Sequence, residues 1–198
     1  IVGETTQAVA QSLDTNDATN RELLQNAMKG FLRNYETHME LNEAAGELRS
    51  YGGLVNKDYS PMDKFAQETG GIAGVYVRQG ERFVLITTSL HNAAGERPLG
   101  QVLDQPTLVP ALLQGQAQAR RSVINGKPYM AYYHPTKDAS GKVVAVVYLA
   151  NDISTFEETM KKQIANTRFF AHGGLYVIDP RGGLEEAVFV VYPRAQGQ

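Results

Sequence analysis

Cysteine is absent from the 198 residues. That removes thiol nucleophiles, thiolate metal sites and disulfide staples together, and it leaves the compartment open. No apolar run approaches the ~18 residues that a membrane-crossing helix needs. Ile1 to Asn20 is polar and lacks the apolar core of a secretory signal. A chain that opens on Ile1 without Met reads as a piece of a longer protein. Excess charge is missing too: 19 Lys and Arg against 21 Asp and Glu leave a net charge of -2. A nucleic-acid or anionic-lipid partner, which would need a surplus of positive charge, is not expected.

Catalytic signatures are also missing. There is no G-x-S-x-G elbow, no Walker loop, no H-E-x-x-H and no EF-hand loop. The glycines at 70, 71 and 74 precede a strand, the wrong order for a dinucleotide fingerprint. His38, His91, His134 and His172 are scattered without ligand spacing. Glu157-Glu158 and Glu185-Glu186 read as solvated faces. The expectation is a protein that is not an enzyme and carries neither metal nor cofactor.

What is present is a core: 42% of the residues are hydrophobic. Leu24, Met28, Phe31, Tyr35 and Met39 recur at spacings of three and four, which predicts a helix over the first forty residues. Such a helix is roughly 60 Å long, so part of it is expected to pack on a partner chain. Ser60 to Thr69 reads as a second helix, with Ser60 as cap and Pro61 in the first turn. Strands follow at 73–79 and 82–90, separated by Gly80-Glu81. Residues 91–114 are loop and short helix, punctuated by glycine and proline. Strands at 119–124, 129–134 and 143–150 come next, the first two joined by Asn125-Gly126, a strong hairpin signal. Ser154 with Glu157 forms a capping box that opens a helix to about Phe170. A last hairpin is expected at 175–179 and 187–192. The fold class is α+β: a five-stranded antiparallel sheet with a long N-terminal helix.

The central strands carry polar groups worth weighing. Strict alternation puts Phe83, Leu85, Thr87 and Ser89 on one face, so Thr87 and Ser89 extend an apolar face with hydroxyls. Tyr129, Ala131 and Tyr133 alternate with Met130, Tyr132 and His134. Tyrosines on one sheet build a pocket wall whose hydroxyls orient a polar ligand, or they fill core with the hydroxyl at the rim. Arg120 and Arg121 point to opposite faces, and whichever faces a pocket offers a fork for a carboxylate. Asp152 binds a ligand ammonium or helps to start the helix at Ser154.

Gly74 to Leu90, Pro98 to Asp104, Asn125 to Met130, Asp138 to Val144 and Tyr148 to Ile153 together resemble Cache domains of the Cache 3/Cache 2 fusion type. The resemblance covers about Pro61 to Ile153. It implies a PAS-like, extracytoplasmic sensing module of a bacterial membrane receptor such as a chemoreceptor. Residues 1–58 would be a long helix and connection, 59–153 the Cache module, and 154–198 a truncated or degenerate second module. The implied ligand is a small carboxylate or amine, held between the sheet and the 91–114 loop by Thr87, Ser89, Arg121, Tyr129, Tyr133 and Asp152. Many relatives carry Thr and then Lys or Arg between the two tyrosines of the fourth strand. Ala131 and Tyr132 stand there instead, which leaves Arg121 as the anion partner. The helix would pair with a second copy in a homodimer. The alternatives are a dimerisation module without a small ligand, or the sensor of a histidine kinase or cyclase.

Overall fold

The computed structural model describes residues 2–166 and two short strands further on. In chain order the elements are α1 (Val2–Phe31), a 3-10 turn (Leu32–Asn34), β1 (Glu40–Asn42), β2 (Glu47–Ser50), β3 (Gly53–Leu54), α2 (Ser60–Thr69), β4 (Ile72–Gln79) and β5 (Arg82–Thr88). Then come α3 (Leu108–Leu113), β6 (Gln118–Ile124), β7 (Lys127–Lys137), β8 (Val143–Asp152), α4 (Ser154–Asn166), β9 (Ile178–Pro180) and β10 (Ala187–Phe189). The chain divides into two compact units: Ile1–Thr19 with Ile153–Gln198, and Asn20–Asp152.

The larger unit is built on one antiparallel sheet in the order β5-β4-β8-β7-β6. Its middle strand, β8, is buried from Val143 to Ala150 without a break. That is why this stretch reads as a continuous apolar run and not as an alternating one. Tyr76, Phe83, Leu85, Ala131, Tyr133, Val146 and Tyr148 gather on one face with Leu108 and Leu112 of α3. Each large apolar side chain sealed in this way contributes about 1.5–3 kcal/mol. At the β6–β7 turn Asn125 and Gly126 have φ of 49° and 76°. Both are left-handed, as the Asn-Gly signal requires.

The first helix is shorter than the apolar spacing suggests. It ends at Phe31, and Tyr35 is already extended, with φ -128° and ψ 157°. The apolar stripe continues across the break because Tyr35 and Met39 are still buried, now from non-helical backbone. Asn34 contributes to the stop by donating its amide to the Phe31 carbonyl (2.7 Å), a local bond that competes with helix continuation. A small sheet in the order β1-β2-β3 follows, which the sequence does not announce.

The second helix spans Ser60–Thr69 as expected, but its cap differs. The cap position is Tyr59, with no side-chain cap bond. Asp58 Oδ1 instead accepts from the Ser60 N–H (3.3 Å). Gly70 ends the helix at φ 70°, its N–H returning to the Ala66 carbonyl.

In the smaller unit, α4 begins at Ser154 as the capping box suggests and is described to Asn166. β9 and β10 pair antiparallel, Val188 opposite Asp179. The remainder of the expected hairpin, 175–177 and 190–192, lies outside the described residues, as does the stretch of helix from 167 to 170.

Candidate functional site

A bulge decides which residues of β5 face the cavity side. Along β4 and β5, Val77 pairs with Val84 and Tyr76 with Leu85, but Val75 pairs with Thr87 and Gly74 with Thr88. Ile86 is the extra residue, and its carbonyl accepts the Lys57 N–H (3.0 Å). One inserted residue reverses the alternation beyond it. Phe83 and Leu85 therefore share their face with Thr88, and Thr87 turns to the other side.

On the face so defined, Tyr76, Tyr148 and Tyr133 stand in a row from β4, β8 and β7. Ring centroids are 5.4 Å apart for Tyr76–Tyr148 and 5.9 Å for Tyr133–Tyr148. They form one wall of a cavity of about 770 Å³, within the roughly 300–1,000 Å³ usual for small-molecule sites. The loop after β5 also lines it with Asn92, Gln101, Asp104 and Gln105, as do Ser122 and Asn125 of the β6 hairpin. Burial pushes the hydroxyls of all three tyrosines above their ordinary pKa. They stay neutral at physiological pH and offer hydrogen bonds, not charge.

The hydroxyl protons are already committed in part. Thr88 Oγ1 donates to the Ala73 carbonyl (2.9 Å) and accepts from the Leu90 N–H (3.1 Å). Its one proton is spent, so at 3.1 Å from Tyr148 Oη it is the acceptor. Tyr148 thus turns its proton inward and presents lone pairs to the cavity. For Tyr133 burial is the main influence on the hydroxyl, raising its pKa, while the nearby side chains of Gln105 and Ser122 act the other way.

The loop is strapped down at several points. Backbone bonds lay Gly100–Leu103 along the β5 edge: Gly100 N–H to Leu85 O (2.8 Å), Leu85 N–H to Gln101 O (2.9 Å) and Leu103 N–H to Phe83 O (2.9 Å). Arg97 grips Asp63 of α2 with two bonds (2.7 and 2.9 Å) and donates to the Thr88 carbonyl. Its guanidinium also lies 4.0 Å from the Tyr59 ring centroid. Asn125 donates to the His91 carbonyl (2.8 Å), and Arg120 binds both the hydroxyl and the carbonyl of Thr107.

The Arg97 hydrogen bond holds the Asp63 carboxyl below the usual aspartate range. A carboxyl depressed by folding contributes stability above its unfolded pKa and loses it as pH falls through the lower folded value. Acid titration of the fold is therefore expected to include a component, of no more than about 1 kcal/mol for so exposed a pair, that Asp63→Asn removes. Urea midpoints at pH 3 and pH 6 check it. An unchanged difference between the two midpoints in the variant would count against the strap.

Of the six residues singled out in the sequence, Tyr133 lines the cavity. Tyr129 packs against the same cluster without lining the cavity. It is paired in register with Asp152, and burial first and that carboxylate second raise its hydroxyl pKa. Asp152 lines a second cavity, of about 430 Å³, with Asn20, Phe65 and Thr69. Thr87, displaced by the bulge, is fully buried and donates to the Asp58 carbonyl (2.7 Å). Ser89 is folded back on β4, its Oγ accepting the Ala73 N–H (3.0 Å). Arg121 is paired with Met130, and Arg120 with Ala131 of the tyrosine face. The arginine on the cavity side is Arg120. Tyr76, Tyr148, Thr88 and Asp104 were not singled out. A lone tyrosine inside each aliphatic run, Val75-Tyr76-Val77 and Val147-Tyr148-Leu149, was the available signal.

Residues 2–198 match the Cache 3/Cache 2 fusion domain. The chain belongs to that family of sensor domains. No curated protein sequence matches it. Among solved structures, the periplasmic domain of RsbU from Chlamydia trachomatis is similar at 15% identity and a TM-score of 0.41, over 79% of this Cache chain and 56% of that one. A candidate transcriptional regulator from Rhodococcus sp. follows at 13% and 0.33, over 49% and 57%. The sensory domain of the Campylobacter jejuni chemoreceptor Tlp3 follows at 12% and 0.34, over 84% and 62%. In each case this Cache chain spans less than two thirds of the other.

Proposed function

We propose that this Cache domain is the extracytoplasmic sensing part of a bacterial transmembrane receptor. It binds a small molecule in the tyrosine-walled cavity, and it catalyses no reaction. Residues 59–153 hold the ligand in this reading, and residues 154–198 open a second module. A chemoreceptor is the parent in view, with a histidine kinase or cyclase as the alternative output. One observation carries the reading: three tyrosines and a ring of amide side chains line an open cavity beneath a strapped loop. A module that only dimerises through α1 has no use for such a space. It would be served better by an apolar, filled interior, because polar groups are costly to bury without partners.

Signalling follows from a population shift. A ligand that prefers the strapped loop lowers that state by its differential affinity alone. Through Arg97 the loop is tied to α2, so a change in the loop biases that helix.

Thermal unfolding in the presence of metabolites tests the binding. A ligand at about 100 times its Kd adds roughly 2.7 kcal/mol, a shift of a few degrees in Tm. Carboxylates, amines, amino acids and purines make up the panel. One chemical class is expected to shift Tm, and Tyr76→Phe, which keeps the ring beside Tyr148, is expected to weaken that shift. A panel without any shift supports the dimerisation module instead. Incubation with generic esters is expected to yield no hydrolysis.

A further inference from the structure

Charge inside the cavity is one-sided. Among the described residues that line it, Asp104 is the one charged side chain, and no Lys, Arg or His joins it. Arg120 lies on the same sheet face, yet its guanidinium is held by the side chain and carbonyl of Thr107. Arg121 is in register with the other face. A carboxylate entering this space would lose water and meet no cation, which disfavours it. The hydrogen-bonding groups lean the same way. Thr88 takes the Tyr148 proton, so Tyr148 accepts and does not donate toward the cavity.

Resting on the cavity as the ligand site, we propose that it selects protonated primary or secondary amines with a small apolar body. Asp104 is the counter-charge, and Tyr148 is an acceptor for the ammonium protons. Asp104 thereby acts as a specificity residue, and it is exposed, so its replacement leaves the core untouched. The apolar body of the ligand is met by Leu85, Leu90, Leu103 and Ile124.

Calorimetric titration of the full chain against matched probes tests this. Straight-chain and phenyl-bearing primary amines are compared with the alcohols and carboxylates of the same skeleton. Amines are expected to bind about tenfold or more tightly than their alcohols, the size of one modest ion pair. The preference is expected to shrink at high salt, since Asp104 is open to screening. In Asp104→Asn it is expected to fall to about threefold or less, with Tm of the unliganded chain unchanged. Two results overturn the amine assignment and leave the cavity standing as a site. One is alcohols that match the amines. The other is carboxylates that bind best, above all if Arg120→Gln abolishes their binding. Failure of every probe to bind overturns both the assignment and the cavity reading.

Discussion

Gly74→Ala is expected to cost about 3 kcal/mol or more and to abolish ligand binding. A Cβ on Gly74 would collide with Cε1 of Tyr148, with two more ring atoms at 2.9 and 3.0 Å. Yielding is not open to the ring. Tyr76 flanks it on one side and Tyr133 on the other, and its hydroxyl is held by Thr88. Nor can the glycine retreat, since β4 is paired on both edges there, with Thr88 in β5 and Tyr148 itself in β8. The clash must therefore be resolved by parting the sheet or expelling the tyrosine into the cavity it walls. Urea denaturation measures the first outcome, and titration with a ligand from the panel measures the second. Gly30→Ala is the control, because nothing lies within 4 Å of the added Cβ there, and it should cost nothing. A Gly74→Ala midpoint close to that of the unaltered chain would show that the tyrosine row is not packed as described.

How much of this was written in the sequence depends on the range over which each feature is determined. The strands of the main sheet, the second helix and the Asn-Gly hairpin are local matters. Periodicity, a proline in the first turn and two positive φ values settle them, and the structure follows. The small β1-β2-β3 sheet is not local in that sense. Strands of three, four and two residues carry no readable period. They hold through bonds such as Asn56, whose side chain accepts the Leu48 N–H and donates to the Gly46 carbonyl. The break in α1 after Phe31 was hidden because burial of Tyr35 and Met39 maintains the helical spacing in residues that are not helical.

The site suffered most from a single inserted residue. Alternation along β5 put Thr87 and Ser89 on the face of Phe83 and Leu85, and the bulge at Ile86 replaces them with Thr88. Nothing in Leu85-Ile86-Thr87-Thr88 reveals which residue is skipped, since two adjacent threonines suit either register. The choice is made by the bond from Lys57 to the Ile86 carbonyl and by Thr87 reaching Asp58, partners almost thirty residues away in sequence. Which of Arg120 and Arg121 shares the tyrosine face is hidden for a related reason. The parity of β6 is set by its pairing with β7, where Gln118 meets Tyr133. Family resemblance identified the fold, but parity within each strand had to come from the ladder.

The two threonines can be told apart by experiment, and the second large effect is expected at Thr88. Thr88→Val preserves shape and removes the oxygen that accepts from Tyr148 and Leu90. Two donors then lack a partner, and the Tyr148 side chain is only 3% exposed, so the loss is expected to be about 2–4 kcal/mol. Thr87→Val removes a single bond, to the Asp58 carbonyl, and is expected to cost about 1 kcal/mol. Thr88→Ser keeps the oxygen and should recover most of the difference. A double-mutant cycle isolates the tyrosine: adding Tyr148→Phe to Thr88→Val removes the orphaned hydroxyl. The pair is therefore expected to cost less than the sum of the single changes, by about 1 kcal/mol. Equal losses at Thr87 and Thr88, or strict additivity in the cycle, would refute the register drawn through Ile86. Binding separates the two sites further. In Thr88→Val the Tyr148 proton has no inward acceptor and is left to be taken by an alcohol oxygen when one is bound, so the preference for amines over alcohols should narrow. In Thr87→Val, on the other face of the sheet, that preference should stay as it is.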